Sequence, residues 1–394
     1  MSKLEELIQQ YCPDGVEYIR LGDILSVNRG KRLTKTQLSE DGKYYVYHGS
    51  KDTPLGKYSQ FNVKGNTTIV VNTGGIGGVK FCDNDFWCSD GSFWIGHSAR
   101  LNDKYVYYYL SPKESYFASQ KRVGGVPTID RSTVENVEIP VPPLPVQEEI
   151  VRILDTFTEL QAELQAELQK RKQQYNYYLD NLLSFNRGWG YQTEVRWMKL
   201  KDVATQWYRG AGIKREEVSE EGMPCIRYGE IHTTYNIWFD DCISHTDESK
   251  QTSRKYADKG DILFAITSED IPFIGNSVAY LGNERILVGG DIVVMKHNQD
   301  PKYMAYALST SDAIKQKGKG KVKSKVVHTN VPSLQEIVIP IPPLAEQKKI
   351  AAILDRFDRL TNDLSSGLPA EMEKRRQQYD YYRDKLLTFK RKGA

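Results

Sequence analysis

Long apolar runs are missing from this 394-residue chain: none approaches the roughly 20 consecutive apolar residues that a membrane-crossing helix needs. Cysteine is scarce. The five residues Cys12, Cys82, Cys88, Cys225 and Cys242 make an odd set without paired spacing, which excludes a disulfide framework and suits a reducing compartment. The opening Met1-Ser-Lys-Leu-Glu-Glu6 is too polar for a secretory leader, so a cytoplasmic location is expected. A one-signed charge excess is also absent. The formal net charge is +3, so partners must be read from where the charges lie.

Catalytic signatures are missing as well. No Gly-x4-Gly-Lys-Ser/Thr loop occurs, which leaves no visible ATP motor, and Gly75-Ile76-Gly77-Gly78 lacks the spacing of a dinucleotide fingerprint. The six histidines are scattered. Cys225, Cys242 and His245 form the one loose metal-like set, and neither metal nor cofactor is expected. The chain reads as a non-catalytic subunit.

What is present is a duplication. Ile139-Pro140-Val141-Pro142-Pro143-Leu144, followed by Gln147, Ile150, Ile153-Leu154-Asp155 and Phe157, returns as Ile339-Pro340-Ile341-Pro342-Pro343-Leu344, Gln347, Ile350, Ile353-Leu354-Asp355 and Phe357, a shift of 200 residues. Each copy runs into Gln-Gln-Tyr (Tyr175, Tyr379) and a Leu-Leu pair (Leu182-Leu183, Leu386-Leu387). A period this long means domain-sized repeats rather than a solenoid.

Each repeat opens with a globular stretch of mixed type. Strand-length apolar segments Tyr44–Tyr47, Thr67–Val71 and Ser92–Ile95 are punctuated by glycines, and Val106–Leu110 reads as a short buried helix. The second stretch keeps this grammar with little identity: Lys259-Gly260-Asp261-Ile262-Leu263 matches Lys64-Gly65-Asn66-Thr67-Thr68. After each Pro-Pro pair a long helix is expected, since proline suits the first turn. Its apolar positions in the first copy are Phe157, Leu160, Leu164, Leu168, Tyr175, Tyr178 and Leu182; in the second they are Phe357, Leu360, Leu364, Leu368, Tyr379, Tyr382 and Leu386. Gly367 and Pro369 predict a break in the second helix. Gln161-Ala-Glu-Leu164 and Gln165-Ala-Glu-Leu168 are a tandem turn, each adding about 6 Å.

The expected fold class is α+β: two similar mixed α/β domains separated by two long antiparallel, coiled-coil-like helices with pseudo-two-fold symmetry. The expected divisions are 1–143, 144–187, 188–343 and 344–394. The amino-terminal stretch Leu4–Ile24 resembles Leu182–Val203, so it is expected to sit against the end of the second helix. Two unlike readers on a symmetric frame suit duplex DNA, whose backbone shares that symmetry.

At these residues the chain resembles the specificity subunit of type I restriction–modification enzymes. The likeness rests on the doubled proline segment, the tandem Gln-Ala-Glu-Leu, and the run from Leu200-Lys-Asp-Val203 through Ile226-Arg-Tyr-Gly-Glu-Ile231 and Lys259–Leu263 to Val288-Gly-Gly-Asp-Ile292. It implies two target-recognition domains reading a split, asymmetric DNA site. It also implies two methyltransferase subunits docked on the helices, and motor-nuclease subunits that join them. The Asn/Asp-Pro-Pro-Tyr/Phe motif of the methyltransferase partner is absent here. The alternatives are a specificity subunit of a smaller restriction enzyme, a stand-alone DNA-binding regulator, or a self-sufficient enzyme.

Candidate DNA contacts fall in matched loops. Lys315 to Lys325 holds six lysines in eleven residues, of which Lys317, Lys319, Lys321 and Lys323 are the central candidates. Its counterpart is Lys121-Arg122. Arg29, Lys31 and Arg32 match Arg209, Lys214 and Arg215, where arginine could grip guanine beside a glycine that lets the backbone approach. His48, Ser50 and Lys51 match Arg227 and Tyr228; Thr73, Gly74 and Gly75 match Thr267 and Ser268. Tyr175, Tyr178, Tyr379 and Tyr382 are read as helix-pair and partner contacts.

Overall fold

The computed structural model describes residues 2–122, 124–185, 194–319, 326–362 and 367–393. It divides into two units: residues 1–163 with 373–394, and residues 164–372. Each unit therefore holds one globular domain, one half of the first long helix and the opposite half of the second.

In the first unit a four-stranded sheet runs in the order Val27–Arg29, Ser92–Ile95, Thr67–Val71, Val79–Cys82. Thr67–Val71 is its core because all five residues are β-branched and all are buried. A three-stranded sheet, Gly56–Tyr58, Tyr44–Tyr47, Trp87–Cys88, lies beside it in the fold order. The second unit repeats the plan with larger sheets: Ala204–Arg209, Ile292–His297, Ile262–Ala265, Ser277–Tyr280 and Trp238–Phe239 in one, and five short strands around Met223–Ile226 in the other. The last strand of the first of these, Trp238–Phe239, pairs in parallel with Ser277–Tyr280. All five cysteines are free and buried.

The short helix expected near Val106 spans Asp103–Leu110. Asn102 caps it, accepting from the amides of Lys104 and Tyr105, and Tyr105, Val106, Tyr108 and Leu110 are buried. Its twin, Pro301–Leu308, is capped by Asp300. The doubled proline segment is where each short helix is locked to its long helix. Tyr105 donates to the Pro140 carbonyl at 3.1 Å and Tyr303 to that of Pro340 at 2.8 Å. Gln147 is fully buried; it donates to the Pro142 carbonyl and accepts from the Asn102 amide, and Gln347 does the same with Pro342 and Asp300. The residues shared by both copies are thus the fasteners, and burial of their polar atoms demands these partners.

The first long helix runs from Leu144 to Ser184 without interruption. The second is broken as expected: Leu344–Asn362 is followed by Gly367–Leu386, with Gly367 at φ +78° and Pro369 in the new first turn. Leu364 lies outside the described residues. The helices pack on each other within each unit. Phe157 meets Tyr379 and stacks on Tyr382 in the first, and Tyr178 stacks on Phe357 in the second. The apolar stripe is narrower than its sequence pattern, because Leu160 and Leu360 are 45% and 39% exposed.

In the first unit the chain ends meet. Val16 donates to the Lys390 carbonyl and accepts from the Lys392 amide, while Tyr18 donates to Phe389 and lies under Arg391. Leu4 and Leu387 share one core. The expected contact between the amino-terminal stretch and the end of the second helix is therefore present.

Candidate nucleic-acid interface

Three of the predicted loops in the first domain converge on the turn Ser89-Asp90-Gly91, and the fourth, at Lys121-Arg122, reaches them through Thr128. Gly30 donates to the Ser92 carbonyl and Lys31 to that of Cys88, which fixes the path of the chain beyond Val27–Arg29. The Arg29 Nε donates to the Asp90 carbonyl at 3.2 Å. His48 Nδ1 accepts from the Gly91 amide at 3.2 Å. Asn72 donates to Gly91 and accepts from Ile129, Gly75 donates to Gly49, and Thr73 Oγ1 donates to Pro127. Arg122 bonds across to Thr128 and pairs with Asp130.

The second domain rebuilds this web around Gly289-Gly290-Asp291. Gly210 donates to Ile292 and Ala211 to Val288, and Ile266 links Asp291 to Thr329. Arg209 is held tightly by the Gly290 carbonyl and, at 2.6 Å, by the Asp291 carboxylate. Because Gly289 donates to Ile226 as Ser89 donates to Tyr47, Arg227 stands where His48 stands. A cavity of about 790 Å³ opens there, lined among others by Arg209, Gly212, Arg215, Arg227, Tyr228 and Gly290. Glu230 is buried beside it, accepting from Ser244 Oγ and the Arg227 amide. The Arg227 Nε is buried with no hydrogen-bond partner among the described residues.

Equivalent backbone bonds thus carry unlike side chains, which is what a shared frame with two different readings requires. Lys31, Arg32, Lys121, Arg122, Arg209, Lys214, Arg215, Tyr228 and Lys319 are exposed, as are Gly74 and Gly75; Ser50 and Thr73 are half-buried.

Several expectations need correction. Lys317 is not on a mobile loop but on the helix Ser311–Gly318. It is buried, with its ammonium donating to the Leu308 carbonyl at 2.8 Å, and desolvation lowers its pKa to about 7. Lys321 and Lys323 lie outside the described residues. Thr267 and Ser268 are buried because Val327–His328 pairs over them; the exposed His328, which sequence reading missed, hydrogen-bonds Thr267 instead. Lys51 turns away from the turn and binds Glu114 at 2.7 Å. Glycines 30 and 210 serve the frame: a Cβ on either would run into the carbonyl of Ser89 or Gly289. Tyr175 is buried and Tyr178, Tyr379 and Tyr382 pack in the helix pairs, although Tyr382 stays 38% exposed; the most exposed tyrosines of those pairs are Tyr177 and Tyr381, at 59% and 63%.

No group of three or more His, Cys, Asp or Glu among the described residues is arranged to hold a metal ion, and no described helix is long and apolar enough to cross a membrane.

Two similar α/β domains on two long helices, each with its own loop cluster, define a two-headed DNA-recognition protein. The model of the type I restriction modification DNA specificity domain matches residues 13–171 and again 193–374, and the chain belongs to that family of specificity subunits. It is 30% identical to the specificity subunit of the type I restriction enzyme EcoR124I/EcoR124II of Escherichia coli, over 99% of this chain and 97% of that one. It is 25% identical to the MjaVIII specificity subunit of Methanocaldococcus jannaschii, over 88% and 87%. In fold it is similar to the crystal structure of the type I S subunit from M. genitalium, with a TM-score of 0.58 at 18% identity over 95% and 96% of the two chains. A chain solved in a study of type I complex assembly gives 0.61 at 16% identity over 95% and 98%. Its role is therefore DNA specificity rather than catalysis.

Proposed function

We propose that the chain reads a split, asymmetric site in double-stranded DNA. Residues 1–143 contact one half through the turn at Ser89-Asp90-Gly91, and residues 188–343 contact the other through Gly289-Gly290-Asp291. The helical segments 144–187 and 344–394 set the gap and dock the modification subunits. The single observation carrying this reading is the pair of equivalent loop webs with His48 at one position and Arg227 at its twin. Phosphate contact falls to Lys31, Arg32, Lys121 and Arg122 in the first domain and to Lys214, Arg215 and Lys319 in the second. Base contact falls to His48, Arg227 and Tyr228.

Two methyltransferase subunits dock at like places, one around Tyr381 and Leu160, the other around Tyr177 and Leu360. All four side chains are exposed on the helix pairs. Motor-nuclease subunits join that assembly, which works in the cytoplasm. The test is a map of methylated bases in cells carrying wild-type chain or Arg227→Ala. The expected outcome is relaxation at one base position of one half-site, worth about 1–3 kcal/mol of discrimination. An unchanged map, or a change in both halves, overturns the assignment.

A further inference from the structure

The two units differ at one edge of their main sheets. In the second unit the strand Ser277–Tyr280 is covered: Ala279 donates to the Ile237 carbonyl at 3.0 Å and Leu281 to that of Phe239 at 2.8 Å. The covering segment is locked by its side chains. The Trp238 indole N–H donates to Asp355 at 3.2 Å, its ring lies 3.9 Å from the Lys302 ammonium, and Asn236 donates to Asp358 at 2.6 Å.

In the first unit the equivalent strand, Val79–Cys82, ends its sheet. Which groups face outward follows from two bonds. Val71 donates to Gly78 at 2.8 Å, so Gly78 faces inward, and Val79 donates outward to the Glu114 carboxylate at 2.9 Å. With a period of two, Phe81 also turns its N–H and C=O away from Thr67–Val71. Beside this edge runs a groove of about 370 Å³, lined by Phe81, Lys104, Tyr107, Tyr108, Asp155 and Thr158 among others. Lys104 and Asp155 form a 2.9 Å ion pair, as Lys302 and Asp355 do at 2.5 Å. The frame that receives an indole in one unit is thus repeated in the other, beside an unpaired strand edge.

We propose that this edge is a docking site for an extended segment of a partner protein. The segment pairs in parallel with Val79–Cys82 through the Phe81 N–H and sets an indole against the Lys104–Asp155 pair, its N–H on the carboxylate and its ring against the ammonium. This is strand addition, in which backbone bonds hold the segment and one side-chain pocket selects it. A second copy of this chain is a poor donor, because its own Ile237 and Phe239 are buried in their sheet at 6% and 5% exposure. Lys51, in the loop that carries His48, lines one end of the groove, but none of the residues assigned to DNA contact does.

The probe is a dye-labelled peptide of residues Thr233–Asp241, titrated against the full chain and followed by anisotropy. Saturable 1:1 binding is expected, with Kd on the order of 10⁻⁴ M. Phe81→Pro, which removes the outward N–H together with the ring that lines the groove, weakens it about tenfold. Lys104→Gln, whose side chain is at the surface, weakens it too and keeps the test alive should the proline variant misfold. Replacing the peptide's Trp238 by Ala also weakens binding, while both protein variants keep their DNA affinity. The proposal is overturned by absence of saturation below about 1 mM, by undiminished binding to both variants, or by a self-association of the chain that Phe81→Pro abolishes.

Discussion

Tyr108 donates its hydroxyl to Asp155 at 2.6 Å, and Tyr306 repeats the contact on Asp355 at 2.7 Å. Each carboxylate also receives a lysine, Lys104 or Lys302, from the first turn of the same short helix. Asp355 takes a third donor, the Trp238 indole. Burial and then the Asp355 hydrogen bond push the Tyr306 pKa far above the ordinary tyrosine range, so the hydroxyl stays a donor. Removing the Asp355 carboxylate leaves a fully buried hydroxyl without its acceptor. Asp355→Ala is expected to lose about 2–4 kcal/mol in urea unfolding, more than Asp155→Ala. Equal losses would show that the third donor adds nothing.

Gly210 lies where the chain passes the Gly289 carbonyl, and Gly30 passes Ser89 in the same way. A methyl group at either position must displace backbone, not a flexible side chain. Gly210→Ala is expected to shift the Arg209–Asp291 pair and to abolish recognition of one half-site, while the other half still protects its DNA in a footprint. A normal footprint on both halves would remove the glycine from the frame.

Surface lysines and the buried one should separate in a salt titration. Lys315 and Lys319 are exposed, whereas Lys317 between them is not. Lys315→Gln with Lys319→Gln should weaken binding to every sequence and flatten the plot of log K against log salt by about 0.9 per lost phosphate contact. Lys317→Met should leave that slope alone. A slope that falls for Lys317→Met instead would place its ammonium at the phosphates.

Much of this was legible in the sequence because it was written twice. The proline segment, Gln147 and Gln347, Asp155 and Asp355, and the aromatic positions of the helices recur at fixed shifts. The strands Tyr44–Tyr47, Thr67–Val71 and Ser92–Ile95 stand where their apolar pattern puts them. The loops could be paired in sequence, but their burial could not. Lysine spacing says nothing about Lys317, which packs beside Gly275 in the place that Phe117 takes beside Gly77. Nor does composition reveal that Val327–His328 folds back over Thr267 and Ser268. The alignment of Ser89-Asp90-Gly91 with Gly289-Gly290-Asp291, again 200 residues apart, was the available signal for the hub of each cluster.

Lys317 also gives the fold a pH dependence whose sign is fixed. Burial lowers its pKa from 10.5 to about 7, so between those values the unfolded chain holds a proton that the folded chain has released. The contribution of this group to stability is therefore complete above pH 10.5 and is lost as pH falls toward 7. Below 7 the folded state must carry a buried ammonium served by the Leu308 carbonyl and, at 3.3 Å, by Ser277 Oγ. Lys317→Met keeps the volume of the chain and removes the charge. It is expected to raise stability at pH 7 and below by up to about 5 kcal/mol, the full linkage of that shift, with the gain shrinking as pH rises through 9. Thermal unfolding of both proteins from pH 6 to 9.5 measures it, and a constant or growing difference across that range would contradict the buried lysine.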